Sequence, residues 1–351
     1  TNPTGSYSAT TTTTYNTGLG YFYLHIQATD AAGNTSSVSE YYALLNASVL
    51  AGSDVQKDTM YTGDGTASRA VASVGYQPDL VWIKNRDSAS DNMIFTSARG
   101  AGNYVTTNTF NAESTDMTTL SSFDSTGFTL GSSTEVNASG DDFMSWAFKE
   151  NANFMDIVSY TGNSSDPRAI GHSLGTVPGL MMIKNVSNND DWVIYQKDMN
   201  SGEAEPATWG VNSATRWIMN LNTDDSVTHV SGSYFANIDP TSTQFTLGSH
   251  SAVNSNTDNF IAILFASSTT NIVRTGTYTG NGSVTGPMVT LGYEPKWVMI
   301  KRKDSAGDWE ILDSSRSPAN IRDDELKANL SDAEAVNGGV DFDATGFQVS
   351  T

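Results

Sequence analysis

YTGNGSVTGPMVTLGYEPKWVMIK, Tyr278 to Lys301, is the unit from which this chain is built. It occurs earlier as YTGDGTASRAVASVGYQPDLVWIK, Tyr61 to Lys84, and as YTGNSSDPRAIGHSLGTVPGLMMIK, Tyr160 to Lys184. Each copy predicts the same parts: a strand ending in Tyr-Thr-Gly, a turn of Gly, Asn, Ser or Asp, an extended segment to Gly75, Gly175 or Gly292, and a Pro before an apolar strand that ends in Lys. Internal repeats are read first, because missing them mis-assigns the whole architecture.

The copies continue past this stretch. IFTSAR (Ile94 to Arg99) returns as ILDSSR (Ile311 to Arg316), at the same offset of 217 that relates Tyr61 to Tyr278. FDSTGF (Phe123 to Phe128) returns as FDATGF (Phe342 to Phe347), and DSTGFTLGS, ending at Ser132, matches TSTQFTLGS, ending at Ser249. VNASGDDFMSWAF (Val136 to Phe148) and VNSNTDNFIAILF (Val253 to Phe265) follow, whereas the third copy reaches Thr351 where this segment would begin. The repeats divide the chain into modules at 58–150, 151–268 and 269–351, the last cut short. The second carries an insertion between Lys197 and Asp239 that holds Trp209, Trp217 and Tyr234.

Short β-rich runs between Gly, Asn, Ser and Asp, with almost no helical periodicity, predict an all-β fold: tandem antiparallel sandwiches of jelly-roll-like type. One short helix is expected at Asp323 to Asn329, where acidic residues precede Leu326 and Leu330. Pro78, Pro178 and Pro295 suit strand entrances because they lack an N–H. Leu80, Trp82, Met182, Trp297 and Met299 alternate and are expected to form a core face, with the Phe of FTLGS closing the opposite sheet. The Gly of Tyr-Thr-Gly is expected to supply backbone angles closed to β-branched residues.

Residues 1–45 differ. YFYLHIQA (Tyr21 to Ala28) alternates like a half-buried strand, Asp30 to Asn34 makes a turn, and Val38 to Leu45 returns. LHIQATDAAGNTSS resembles the final hairpin of bacterial immunoglobulin-like domains; an ordinary hairpin with a Gly-Asn turn is the other reading. Residues 46–57, small and polar, read as a linker.

The 351 residues carry 38 Asp and Glu against 18 Lys and Arg, a net charge of -20. Such a surface repels nucleic acid and anionic membranes. With no cysteine there is no disulfide framework, thiolate metal site or thiol nucleophile. No run is long enough for an apolar membrane span, and both ends read as cuts in a longer polypeptide.

The pattern YTGNG…LGxxPxxVxIKxxxxxxxW followed by FxLGSxxxVNxxGDxFxxxxF resembles the repeat of structural proteins of marine tailed phages, large virion or tail-fibre-type polypeptides. VMIKRKDSAGDWEILDSSRSP (Val298 to Pro318) with LSDAEA (Leu330 to Ala335) is its most specific part. The resemblance implies a virion-surface or fibre component, a homo-oligomer or a partner of other virion proteins, with no catalytic motif. Asp91-Asn92 departs from the Asp-Trp of the other copies (Asp191-Trp192, Asp308-Trp309).

Catalytic signatures are missing from the sequence. The four histidines, His25, His172, His229 and His250, share no metal-ligand spacing. No nucleophile elbow, phosphate loop or dinucleotide fingerprint occurs. Asp141-Asp142, Asp190-Asp191, Asp224-Asp225 and Asp323-Asp324 offer oxygen ligands for calcium without the alternating spacing of a dedicated loop. No other cofactor is expected. Carbohydrate contact is the sharper expectation: Trp209, Trp217 and Tyr234 supply aromatic faces on an insertion, beside amide and carboxylate side chains that bond hydroxyls. TRWIMNL (Thr215 to Leu221) also alternates like a strand, which would bury Trp217. Together with the resemblance, these readings imply a non-enzymatic virion fibre or appendage that contacts host glycans. The alternatives are a bacterial extracellular adhesin or filament subunit and, third, a polysaccharide-degrading enzyme.

Overall fold

Wherever Gly, Pro, Asn and Ser punctuate this sequence the backbone turns, and the β-branched and aromatic runs between them extend and pair. The computed structural model describes residues 22–26, 39–43, 52–199, 214–230, 232–267 and 272–350. The fold is all-β, and all strand pairs among the described residues are antiparallel. Contacts divide the chain into residues 1–51 and 52–351. The first unit contains a hairpin of β1 (Phe22–Ile26) and β2 (Ser39–Ala43), with Phe22 opposite Ala43. Its turn lies outside the described residues.

The second unit begins before the expected linker ends. Gly52–Asp54 forms a 3-10 turn, Val55 is buried, and the first module's β3 (Gln56–Thr62) follows at once. After it come β4 (Arg69–Val71), β5 (Leu80–Asn85), β6 (Met93–Thr96), β7 (Asn103–Thr106), β8 (Ser114–Thr115), β9 (Leu120–Asp124), β10 (Gly127–Leu130), the single-turn α1 (Thr134–Asn137) and β11 (Asp142–Phe148). One sheet has the order β3-β11-β5-β6-β7-β8 and the facing sheet β4-β10-β9. First strand pairs with last and second with penultimate, the winding of a jelly roll, while β5 to β8 continue as a meander.

The second module repeats this plan. It comprises β12 (Met155–Thr161), β13 (Arg168–Gly171), β14 (Pro178–Asn185), β15 (Val193–Gln196), β16 (Trp217–Asn220), β17 (Thr228–His229), β18 (Gln244–Leu247), α2 (Ser251–Asn254) and β19 (Asn259–Ala266). Its sheets run β12-β19-β14-β15-β16-β17 and β13-β18. Tyr61 and Tyr160 hold the same place, each opposite a phenylalanine of the central strand: Phe143 in one case, Phe260 in the other.

The third module has β20 (Thr285–Thr290), β21 (Trp297–Lys301), β22 (Trp309–Asp313), β23 (Arg322–Lys327), β24 (Ala335–Asp343) and β25 (Gly346–Ser350). Here the two sheets join through β23 and β24 into one, ordered β20-β25-β24-β23-β22-β21. The helix expected at Asp323 to Asn329 is instead β23. Its residues take the place of β7 and β16, and pairing with β22 and β24 outweighs an acidic start that would favour a helix.

The core is organised differently from the expected one. Inside the first sandwich lie Val81, Ile83, Phe95, Phe128 and Phe143; inside the second lie Met181, Ile183, Phe245 and Phe260. Leu80, Trp82 and Met182 point the other way, yet are 2%, 3% and 2% exposed. Both faces of these strands are covered, one within the module and one between modules. Each such side chain contributes about 1.5–3 kcal/mol by leaving water.

The Gly of Tyr-Thr-Gly acts through close approach, not unusual angles. A Cβ on Gly63 would lie 2.0 Å from the Ala138 carbonyl oxygen, and one on Gly162 would lie 1.8 Å from that of Ser255. Positive φ belongs to the later glycines, Gly75 (88°), Gly175 (76°) and Gly292 (92°).

Candidate functional site

The repeated Asp-Asn or Asp-Trp pair lies where the modules meet. In each module an asparagine following the next strand locks it. Asn108 Nδ2 donates to Asp91 Oδ1 (2.7 Å) while its Oδ1 accepts from Asn92 N (2.9 Å). Asn222 does the same with Asp191 (2.7 Å) and Trp192 N (2.9 Å), and Asn329 with Asp308 (2.8 Å) and Trp309 N (2.8 Å). The clamp fixes the next side chain, which reaches into the neighbouring module. Asn92 Nδ2 donates to Lys327 O (3.0 Å), Trp192 Nε1 to Thr106 O (2.8 Å) and Trp309 Nε1 to Asn220 O (3.0 Å). Each acceptor stands two residues before the neighbour's clamping asparagine.

The lysine that ends each repeated stretch makes the second link. Lys84 Nζ donates to Ser331 O (2.8 Å), Lys184 Nζ to Phe110 O (2.9 Å) and Lys301 Nζ to Asp224 O (3.0 Å). A backbone bond makes the third: Glu334 N to Arg86 O (2.8 Å), Glu113 N to Val186 O (3.1 Å) and Val227 N to Lys303 O (2.8 Å). The first module thus bonds to the third, the third to the second and the second to the first. Three seams that share these bonds close the described residues between 52 and 350 into a ring with approximate threefold repetition. Burial pulls Lys84 and Lys184 down to about 8, since a cation there has exchanged water for a few carbonyls.

A partly open cavity of about 1830 Å³ is lined by residues of all three modules. Leu80, Trp82 and Ile94 face it from the first, Met182 and Ile194 from the second, Trp297 and Met299 from the third. Phe148 marks the meeting point: its ring lies 5.8 Å from Phe265 and 6.4 Å from Trp297. Charged residues line it as well, among them Asp58, Arg274, Glu294, Lys301, Arg302 and Glu310.

One seam is ionic. Between the first and third modules, Arg316 Nε donates to Asp313 Oδ2 (2.7 Å) and Nη1 to Glu334 Oε2 (2.9 Å), and Arg86 Nε grips the same glutamate at 3.0 Å. Trp146 Nε1 reaches Asp313 at 3.3 Å, and Ser315 Oγ donates to Asp58 Oδ2 at 3.4 Å. Asp58 opens onto the cavity but is hemmed in by protein. Burial, and then the Asp313 charge, push it up to about 7. Ile157 stands at the matching place in the second module, so this cluster has no counterpart there. The groups around Asp58 are the Asp313 carboxylate, the Arg316 guanidinium, the Ser315 hydroxyl and, from its own strand, the Gln56 amide.

The aromatic residues singled out in the insertion are placed apart. Trp209 lies outside the described residues. Trp217, 9% exposed, opens β16, and its indole meets the His229 ring edge-on at 4.7 Å. Tyr234 is half-buried and stacks on His250 at 3.8 Å; His250 in turn caps α2 by accepting from Ala252 N. Burial raises the Tyr234 hydroxyl and lowers His250. Among the described residues no group of three or more His, Asp or Glu is placed to hold a metal ion, and no helix is long and apolar enough to cross a membrane.

Sequence reasoning missed the clamping asparagines because their distance from the aspartate varies, from Asp91 to Asn108 and from Asp191 to Asn222. The available signal was LSDAEA, the segment whose Ser331 and Glu334 close the ring on the first module. No match was found among curated proteins or among solved structures. A family model covers residues 51–351, the whole of the ring, and by that match the chain belongs to the DUF7483 family, a domain of unknown function.

Proposed function

We propose that this chain is a non-enzymatic structural protein of a phage virion, a fibre or surface appendage that associates with further copies and other virion proteins. The observation that carries the reading is the ring: three copies of one β unit joined by the same hydrogen bonds at each seam. Duplication has here produced rigid extent, with the recurring residues spent on packing and closure. An ionic cluster whose members bond one another supports an architectural role over a reaction centre. The acidic surface supports a partner other than nucleic acid. Host-glycan contact falls to the insertion of the second module. Trp209 is its stacking platform, since Trp217 and Tyr234 are engaged by His229 and His250.

Antibodies against the ring are expected to label intact particles in negative-stain electron microscopy. Labelling of bacterial surfaces in cultures without particles would replace this reading with an extracellular adhesin or filament. Release of sugar fragments from host polysaccharide would replace it with an enzyme. On a glycan array, signal lost on Trp209→Ala is the expected result; no signal from either protein removes glycan contact.

A further inference from the structure

A turn follows β6, β15 and β22 at the same place in each module, and the three turns differ chemically. In ILDSSR of the third, every guanidinium nitrogen of Arg316 has an acceptor: Nε bonds Asp313 Oδ2 (2.7 Å), Nη1 bonds Glu334 Oε2 (2.9 Å) and Nη2 bonds Ile311 O (2.8 Å). The second module has Gln196 and Met199 where the third has Asp313 and Arg316. Met199 is buried and apolar, and Gln196 Oε1 accepts from Asp198 N at 2.8 Å. IFTSAR of the first module keeps the arginine, as Arg99, but has Thr96 in place of the aspartate.

Glu113 is the counterpart of Glu334: each donates its backbone N–H across a seam, to Val186 O and Arg86 O respectively. It forms an ion pair with Arg99, whose side chain is 9% exposed against 26% for the glutamate. Other polar groups of this turn stand alone. Arg99 Nε and Nη1 and the Thr96 hydroxyl are buried, and none of them has a hydrogen-bonding partner among the described residues. Nor does the Thr96 side chain replace the bonds that Asp313 Oδ1 accepts from Ser315 N (3.0 Å) and Arg316 N (2.9 Å). Burial lowers Arg99 to about 10, because a cation this deep has lost its water. Buried donors are almost always bonded, so three of them on one turn call for an acceptor.

We propose that Thr96 and Arg99 form a binding site for one small monovalent anion, of chloride's size, in the role that the Asp313 carboxylate has in the third module. Charge supports an anion. The seam between the first and third modules sets Arg86 and Arg316 against Asp313 and Glu334. The seam between the first and second has Val186 for Arg86 and Thr96 for Asp313. Arg99 therefore faces one carboxylate, and that carboxylate is the more exposed of the pair and the more screened by water. Nε, Nη1 and the Thr96 hydroxyl supply three donors to the ion. The surroundings support a compact, singly charged one. Asp58, Trp146 and Arg86 meet the third module's turn and its glutamate; at the matching positions stand Ile157, Ile263 and Val186. None of these side chains offers a donor to sulfate or phosphate, or offsets a second negative charge.

The test follows the Tm of the 351-residue chain in sodium chloride and in sodium gluconate at equal ionic strength. Chloride is expected to raise Tm saturably, by about 2–4 °C at tenfold excess over its Kd. Thr96→Asp supplies the missing carboxylate, and is expected to abolish the chloride response while raising Tm in gluconate. Arg99→Met places the second module's residue in the first, and is expected to abolish the response as well. In chloride NMR the chain broadens the line and bromide narrows it again, a readout that needs no variant. A Tm and a line width both indifferent to chloride overturn the proposal and leave water as the partner of these donors. So does a chloride response of the same size in both folded variants, which would assign it to the general surface.

Discussion

The first and third modules share a sequence to the level of single residues, and yet one is a two-layer sandwich and the other a single sheet. Tyr61 is 8% exposed and Tyr278 is 38%. Lys84 is fully buried, whereas Lys301, in the same role, is half-buried. The compact cluster inside the first module draws on both sheets and the central strand, while that of the third is reduced to Val298, Leu312, Val340, Phe342 and Phe347. What differs is one strand. In the third module β24 pairs with β23 and the two layers are continuous. In the first two modules the central strand is paired on both edges, and its Phe148 and Phe265 meet between modules. The three recurring seam bonds, by contrast, are found at all three junctions, and the ionic cluster is added to them between the first and third modules.

Breaking the contrast at its strongest point gives the largest effect. Phe143→Ala or Phe260→Ala removes a ring buried between Tyr and the module core and is expected to cost about 3–5 kcal/mol in urea unfolding. Smaller, and equal across modules, is the loss of a clamp. Asn108→Ala, Asn222→Ala and Asn329→Ala each take one donor from a carboxylate and leave a backbone N–H without its acceptor, at about 1–3 kcal/mol. Unequal losses across the three would show that the seams are not equivalent.

Next comes the ionic seam. Asp58 titrates near 7 when folded against an ordinary 3.8, so the folded state holds an extra proton between those values. Stability therefore falls as pH rises through that window. Asp58→Asn is expected to raise stability at pH 8 by about 1–3 kcal/mol, with the gain vanishing near pH 4. A gain independent of pH would assign the effect to packing. The smallest effect belongs to Tyr278→Ala, within about 0.5 kcal/mol in the chain alone, because its ring lacks the stacking partner of Tyr61. A loss as large as that from Tyr61→Ala would erase the contrast between the modules.

Much of this architecture is legible in the residues. The threefold recurrence of Tyr-Thr-Gly, the Pro-led apolar strand and the FTLGS phrase marks the units and their all-β character, and Pro178 does open β14. Local reading fails where partners are remote. Asp323 to Asn329 looks helical because its strand partners lie in distant segments. Trp82 and Met182 look like module core, since alternation distinguishes two faces without saying which neighbour covers either. Asn92 looks like the loss of a functional Trp, although its amide makes the same cross-seam bond as the indoles of Trp192 and Trp309. Nothing in the sequence flags Asn108, Asn222 or Asn329, whose role exists only once a loop has returned to the aspartate.

By itself, then, the sequence determined the repeating unit, its strands and its turns, because these follow from side-chain alternation, proline and glycine, which act over a few residues. The tertiary structure decided that the three units close into a ring and which faces turn inward. Those outcomes depend on which surfaces meet, and pairing between segments a hundred or more residues apart leaves no periodic trace along the chain.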